Sequence, residues 1–184
     1  MPRITRIALP CLAIALSTSC KSAAEKSAAL SESCKAAVQR FYAWYVPQAL
    51  SHDKSLPGIR AIQQDSALFA DSLRHALQTD FYAQNSATDI AAIDFDPFLA
   101  AQDPDTAYTV TTANVTGTRC RTEVRRKAPG ADSTPPDVIP ELEFKNDQWL
   151  FVDFIYPQNG STTRLTQILA MLDDERRHRA QAQP

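Results

Sequence analysis

Glycine is scarce in this chain, four residues in 184. That scarcity argues against a Gly-rich loop able to cradle a phosphate. There is no GxSxG, so the strand-turn-helix elbow that presents a hydrolase serine is missing. There is no CxxC, and His52, His75 and His178 are scattered, which leaves a Cys/His metal site without a ligand set. Basic charge is not in excess either. Nineteen Lys and Arg face 21 Asp and Glu, a formal charge of −2, so no positive field invites nucleic acid. The apolar run near the start, within "IALPCLAIALSTSC", is too short to serve as a stable bilayer span.

What that run does suit is export. Arg3 and Arg6 form a short positive region, the apolar stretch follows, and small residues lead to Cys20. Ser17, Thr18, Ser19 and Cys20 resemble the lipobox of bacterial lipoproteins. The large aliphatic residue, Leu16, sits four places before the cysteine where that pattern has three. The other reading is ordinary cleavage after Ala24. Residues 1–19 read as a signal peptide, and their removal takes away two arginines and no acid, moving the formal charge from −2 to −4. Residues 20–30 read as a tether that becomes helical towards Ser31, lipidated if Cys20 is the modified N-terminus. Residues 31–180 read as a single domain, within the size that buries a real core. In an oxidising compartment the remaining cysteines, Cys34 and Cys120, form an even pair. They are either bridged or two separate buried thiols.

The domain begins with helical patterning. In "SESCKAAVQRFYAWYVPQAL", Val38, Phe41, Tyr42 and Tyr45 share one face, Ser31 is placed to cap the start, and Pro47 ends or kinks the helix. "SHDKSLPGIRAIQQ" reads as a loop with a Pro57-Gly58 turn. A second helix is expected over roughly Asp65 to Gln84, with Phe69, Leu73, Ala76, Leu77 and Phe81 inward. From Tyr108 the texture turns to threonine, valine and period-two alternation, which predicts strands. They are "YTVTTANV", "TGTRCRTEVRRK", "VIPELEF" and "QWLFVDFIYP", with a Pro-rich loop after the second and a tight Lys145-Asn146-Asp147 turn before the last. Both faces of the last strand are apolar, which places it inside the sheet. "STTRLTQILAMLDDERRHR" closes the chain as a helix with Leu165, Ile168, Leu169 and Leu172 inward and Glu175 positioned to pair with Arg179.

Helices, then an antiparallel meander, then a helix means α+β. The expected packing is a curved sheet of about four strands wrapped around the first helix. Three stretches, "FYAWYV" at Phe41–Val46, "DFDPFLAAQD" at Asp94–Asp103 and "ELEFKNDQWLFVDFIYP" at Glu141–Pro157, make the chain resemble the domain of unknown function 3828 family. That family comprises small bacterial envelope proteins, often lipoproteins. The resemblance implies a cone of the nuclear-transport-factor-2 and cystatin type, with no established activity.

Several residues invite a chemical reading. Asp94, Asp96, Asp103 and Asp105 offer oxygens to a hard cation, but the EF-hand glycine and its terminal glutamate are missing. The structural reading of the same stretch makes Asp96 an N-cap and Pro97 the first residue of a short helix that plugs Phe98 and Leu99 into the core and ends near Asp103-Pro104. Asp153 lies in an apolar strand, as a pocket carboxyl or as a partnered structural one; a regular strand would put it on the face of Phe151 and Ile155. Trp44 and Trp149, with Tyr42 and Tyr45, line a ligand pocket or belong to the core. Arg119, Arg121, Arg125, Arg126 and Lys127 form a basic strand, which is a solvated face or a docking surface for an acidic partner.

The expectation is therefore a non-enzymatic lipoprotein of the Gram-negative periplasm, with no cofactor and no metal. It would be anchored to a membrane by lipid and bind an envelope or secreted protein, as an accessory subunit of an assembly or as a toxin-immunity protein. The alternative is small-molecule binding or hydrolysis at the mouth of the cone.

Overall fold

In the computed structural model the described residues are 22–51, 57–86, 92–127, 135–158 and 160–182. The expected signal peptide, the Cys20 lipidation site, His52 and most of the Pro-rich loop lie outside them. The first helix, α1, spans Ala23–Ala49. It starts eight residues before Ser31 because Ser22 and Glu25 form a capping box, each side chain answering the other's backbone N–H. Ser31 instead donates its hydroxyl to the Ala113 carbonyl at 2.6 Å. Pro47 sits inside the last turn without ending the helix.

The stretch expected to be a loop holds a helix, α2, Pro57–Gln64. Proline suits the first helical position, where its missing N–H costs nothing. Gly58 is required for a packing reason: a Cβ there would lie 2.5 Å from the Phe81 ring. The expected second helix is divided into a 3-10 turn at Ser66–Leu68 and α3, Asp71–Ser86. Phe69 falls between them in extended conformation and bridges Phe151.

Five strands follow: β1 Tyr108–Thr116, β2 Arg119–Arg126, β3 Ile139–Lys145, β4 Gln148–Gln158 and β5 Ser161–Arg164. They form one antiparallel meander in sequence order. The sequence pattern predicts that the closing helix starts near Ser161; residues Ser161–Arg164 instead form β5, and α4 begins at Leu165 and runs to Ala182. Asn146 and Asp147, at φ 51° and 61°, make the two-residue β3–β4 hairpin, whose left-handed turn matches the strand twist. The register slips between Val110 and Ala113 on β1 and between Glu141 and Leu142 on β3.

Helix α1 crosses the sheet. It touches β1 through Ser31, β2 through a Cys34–Cys120 disulfide, and β4 where the Trp149 indole N–H donates to Ser33 at 3.0 Å and the Phe41 and Phe151 rings sit 4.8 Å apart. Cys34 lies mid-helix, its Cα 6.6 Å from that of Cys120. Helix α4 seats Leu165 and Leu169 in the core and ties back to α3 by an Arg176–Asp80 ion pair at 2.7 Å. Its exposed end carries the Glu175–Arg179 pair.

The disulfide closes a separation of 86 residues, and a loop of that length restricts the unfolded chain strongly. Replacing Cys34 and Cys120 together by alanine should lower stability in chemical denaturation by about 3–5 kcal/mol. A loss below about 1 kcal/mol would mean that the bridge does not hold helix to sheet.

Candidate functional site

The acidic stretch around Asp96 is a turn, and three tyrosines hold it. Asp96 Oδ1 accepts the backbone N–H groups of Phe98 at 2.9 Å and Leu99 at 3.0 Å. The Ala100 N–H reaches the Asp96 carbonyl, and the Asp96 N–H returns to Ala101. The expected short helix does not form. Ala100 takes φ 53° and closes a compact turn in place of continuing one. The hydroxyl of Tyr45 donates to Asp96 Oδ2 at 2.6 Å, that of Tyr156 to the Pro97 carbonyl at 2.8 Å, and that of Tyr42 to the Phe98 carbonyl at 2.6 Å. Burial holds all three tyrosines well above their usual pKa, so each remains a donor.

Phe98 is the tip of this plug. Its ring meets Phe41, Tyr45, Phe69 and Phe154 at 5.0–5.6 Å. The sequence placed Phe98 and Leu99 in the core, and both are buried. The tyrosine partners lie 51 to 59 residues away in the chain. The available signal was that a buried tyrosine usually needs a partner for its hydroxyl.

Beside the turn is an open cleft of about 420 Å³. Phe81, Ile93, Phe95 and Pro97 supply apolar walls, and Asp94 and Asp96 face it with Gln84 and Gln102. Asp96 titrates at about 6 instead of 3.8. Burial disfavours its charge by more than the hydrogen bonds from Tyr45, Phe98 and Leu99 favour it.

A second polar cluster joins β3, β4, β5 and the start of α4. Arg164 lies between two carboxylates, with its Nε 2.7 Å from Asp153 and its terminal nitrogen on Glu141. Arg121 reaches the other Glu141 oxygen at 3.0 Å. Asp153 also accepts the Thr166 N–H at 3.1 Å and its hydroxyl at 2.8 Å, which anchors the beginning of α4. Burial pushes the Glu141 carboxyl up, but Arg164 and Arg121 outweigh it and hold the group below its usual value.

Asp153 and Phe151 are on opposite faces. The register slip brings Phe151 and Phe154, three residues apart, into stacked contact at 5.3 Å, so Asp153 points the other way. A regular strand would have put Asp153 with Phe151. Trp44 is half-buried against Phe41 and Tyr45, whereas Trp149 meets α1 at Ser33, eleven residues earlier and about 16 Å away along the helix. Trp44, Trp149 and Asp153 therefore do not converge on one chamber.

The basic strand is interleaved with acids. Arg119 faces Glu143 at 3.6 Å, Arg125 faces Glu123 at 3.1 Å, and Arg126 pairs with Asp137 at 2.7 Å and Asp105 at 3.7 Å. The four aspartates weighed as a cation site have separate roles. Asp96 holds the turn, Asp105 faces Arg126, and Asp94 and Asp103 are exposed. No helix among the described residues is long and apolar enough to cross a membrane.

No family model and no curated protein matches the chain. Two solved structures resemble it, the native and selenomethionine crystal structures of the type VI effector–immunity complex Tae3–Tai3 from Ralstonia pickettii. They are 18% and 20% identical, cover 69% of this chain and 97% and 98% of the matched chains, and each has a TM-score of 0.49. That degree of likeness assigns no function.

Because the folded Asp96 carboxyl holds its proton to a higher pH than in the unfolded chain, the folded state binds more protons between about pH 4 and 6. Its contribution to stability is full below pH 4 and is lost as pH rises through 6. The stability difference between wild type and Asp96→Asn should therefore shift against wild type by up to about 3 kcal/mol from pH 4 to 7. Urea titrations at a series of pH values would show it, and a flat difference would contradict the burial of this group.

Proposed function

We propose that this domain is a non-enzymatic protein-binding module of the Gram-negative envelope. In this reading it lies in the periplasm, anchored by lipid on Cys20. It serves as an accessory subunit of an envelope assembly or as an immunity protein that blocks a secreted toxin. The carrying observation is the filled interior. Phe41, Phe69, Phe98, Phe151 and Phe154 pack ring against ring where a cone-shaped fold would hold a small ligand. Recognition then falls to the surface, where Tyr82 and Met171 stand 59% and 61% exposed.

The start of α1 fits an anchored domain. Its capped first turns are exposed and begin three residues after Cys20. A lipid there would suspend the domain from a helical stalk instead of a loose tether. The competing reading, a small-molecule site or hydrolase at the mouth of the cone, calls for Trp44, Trp149 and Asp153 to line one space, and they are spread over the fold.

Affinity capture with the mature domain from envelope extract, followed by mass spectrometry, tests the reading. The expected result is one protein that re-purifies with the domain at defined stoichiometry, and an intact mass carrying diacylglycerol and acyl additions at Cys20. Failure to isolate such a complex, together with tight retention or turnover of a small molecule, would contradict it. An unmodified N-terminus at Glu25 would contradict the anchor.

A further inference from the structure

The cleft beside Asp96 is small, apolar on its walls and acidic at one side. Its volume of about 420 Å³ is at the lower end of the roughly 300–1,000 Å³ range of ligand sites. Phe95, half-buried, gives the cleft its main apolar surface, and the largely buried Phe81, Ile93 and Pro97 back it. Asp94 is exposed at the cleft, and Asp96 lines it half-buried. Among the described residues no lysine or arginine lines the space. The two carboxyl groups among the described lining residues favour a cationic occupant over an anion.

The hydrogen-bond inventory of Asp96 sharpens the point. Oδ1 already accepts two backbone N–H groups. Oδ2 accepts only the Tyr45 hydroxyl. A carboxylate oxygen has about two acceptor positions, so Oδ2 retains capacity for one more donor. The carboxylate is ionised at neutral pH at a desolvation cost, since burial has raised its pKa. A cation reaching Oδ2 would offset that cost and make a charge-assisted hydrogen bond.

We propose that this cleft receives a basic side chain of a protein partner, its aliphatic stem against Phe81, Ile93 and Pro97 and its cationic head between Asp94 and Asp96. Arginine fits best, because a planar guanidinium stacks on an aromatic ring such as Phe95 and still donates at its edge to carboxylates. The proposal rests on the protein-binding reading and names the chemistry of the partner's anchor.

The test is a titration of the isotope-labelled domain with N-acetyl-argininamide, followed by amide NMR, with N-acetyl-citrullinamide as the neutral isostere. A single side chain lacks the rest of an interface, so half-saturation is expected on the order of millimolar. Saturable shifts should centre on Ile93, Phe95 and Gln102 with the arginine probe and be absent with citrulline. Asp96→Asn should weaken binding about tenfold. Because Asp96 also holds the turn, the exposed Asp94→Asn supplies a second arm without that structural role, and it should weaken binding at least twofold. No saturable shift at the cleft, equal shifts with citrulline, or undiminished binding in Asp94→Asn would overturn the assignment. The titration reads the cleft alone, so its failure is distinguishable from failure to capture a partner.

Discussion

The carbonyls of Pro97 and Phe98 are buried in a turn that has no helix to satisfy them, and each must find a donor. Tyr156 and Tyr42 supply one apiece, and Tyr45 does the same for the carboxylate that closes the turn. These hydroxyls come from the first helix and the fourth strand. The turn can be buried only if helix and sheet are already correctly placed around it, and the Phe98 ring then fills the space between them. Backbone satisfaction and aromatic packing are thus one requirement, which is why an acidic stretch can sit against the centre of the core.

Other polar contacts extend the same scheme outward. Asp80, fully buried on α3, accepts from Arg176 of α4, from Gln84, and from the Ile93 N–H just ahead of the turn. Arg164, Asp153 and Thr166 fasten the beginning of α4 to β4. Asp80, Asp96 and Asp153 thus each hold separate elements together. On the proposed protein-binding reading, recognition falls to the surface between these fastenings, which includes the acidic cleft beside Asp96.

Much of the fold was legible because its signals are local. The aromatic face of α1, the Leu165–Leu169–Leu172 stripe of α4, and the Asn146-Asp147 turn each depend on neighbouring residues. Elsewhere distant packing overrides the local pattern. Pro57-Gly58 reads as a turn until the Phe81 ring shows why a glycine belongs inside a helix there. Thr162 and Thr163 continue a helical pattern until Tyr156 and Pro157 are seen to pair with them as a strand. A register slip beside Asp153 reverses the face that strict alternation predicts. The tyrosine partners of the turn are set by tertiary structure, and short-range patterning carries no trace of which carbonyl each will meet.

The measurement closest to the central claim is equilibrium denaturation of Tyr42→Phe and Tyr156→Phe beside Tyr82→Phe, whose ring is exposed. Removing either buried hydroxyl leaves a buried carbonyl without its donor, so each of the first two should lose about 1–3 kcal/mol while Tyr82→Phe stays within about 0.5 kcal/mol of wild type. Losses in Tyr42→Phe and Tyr156→Phe no larger than that of the exposed control would contradict the account.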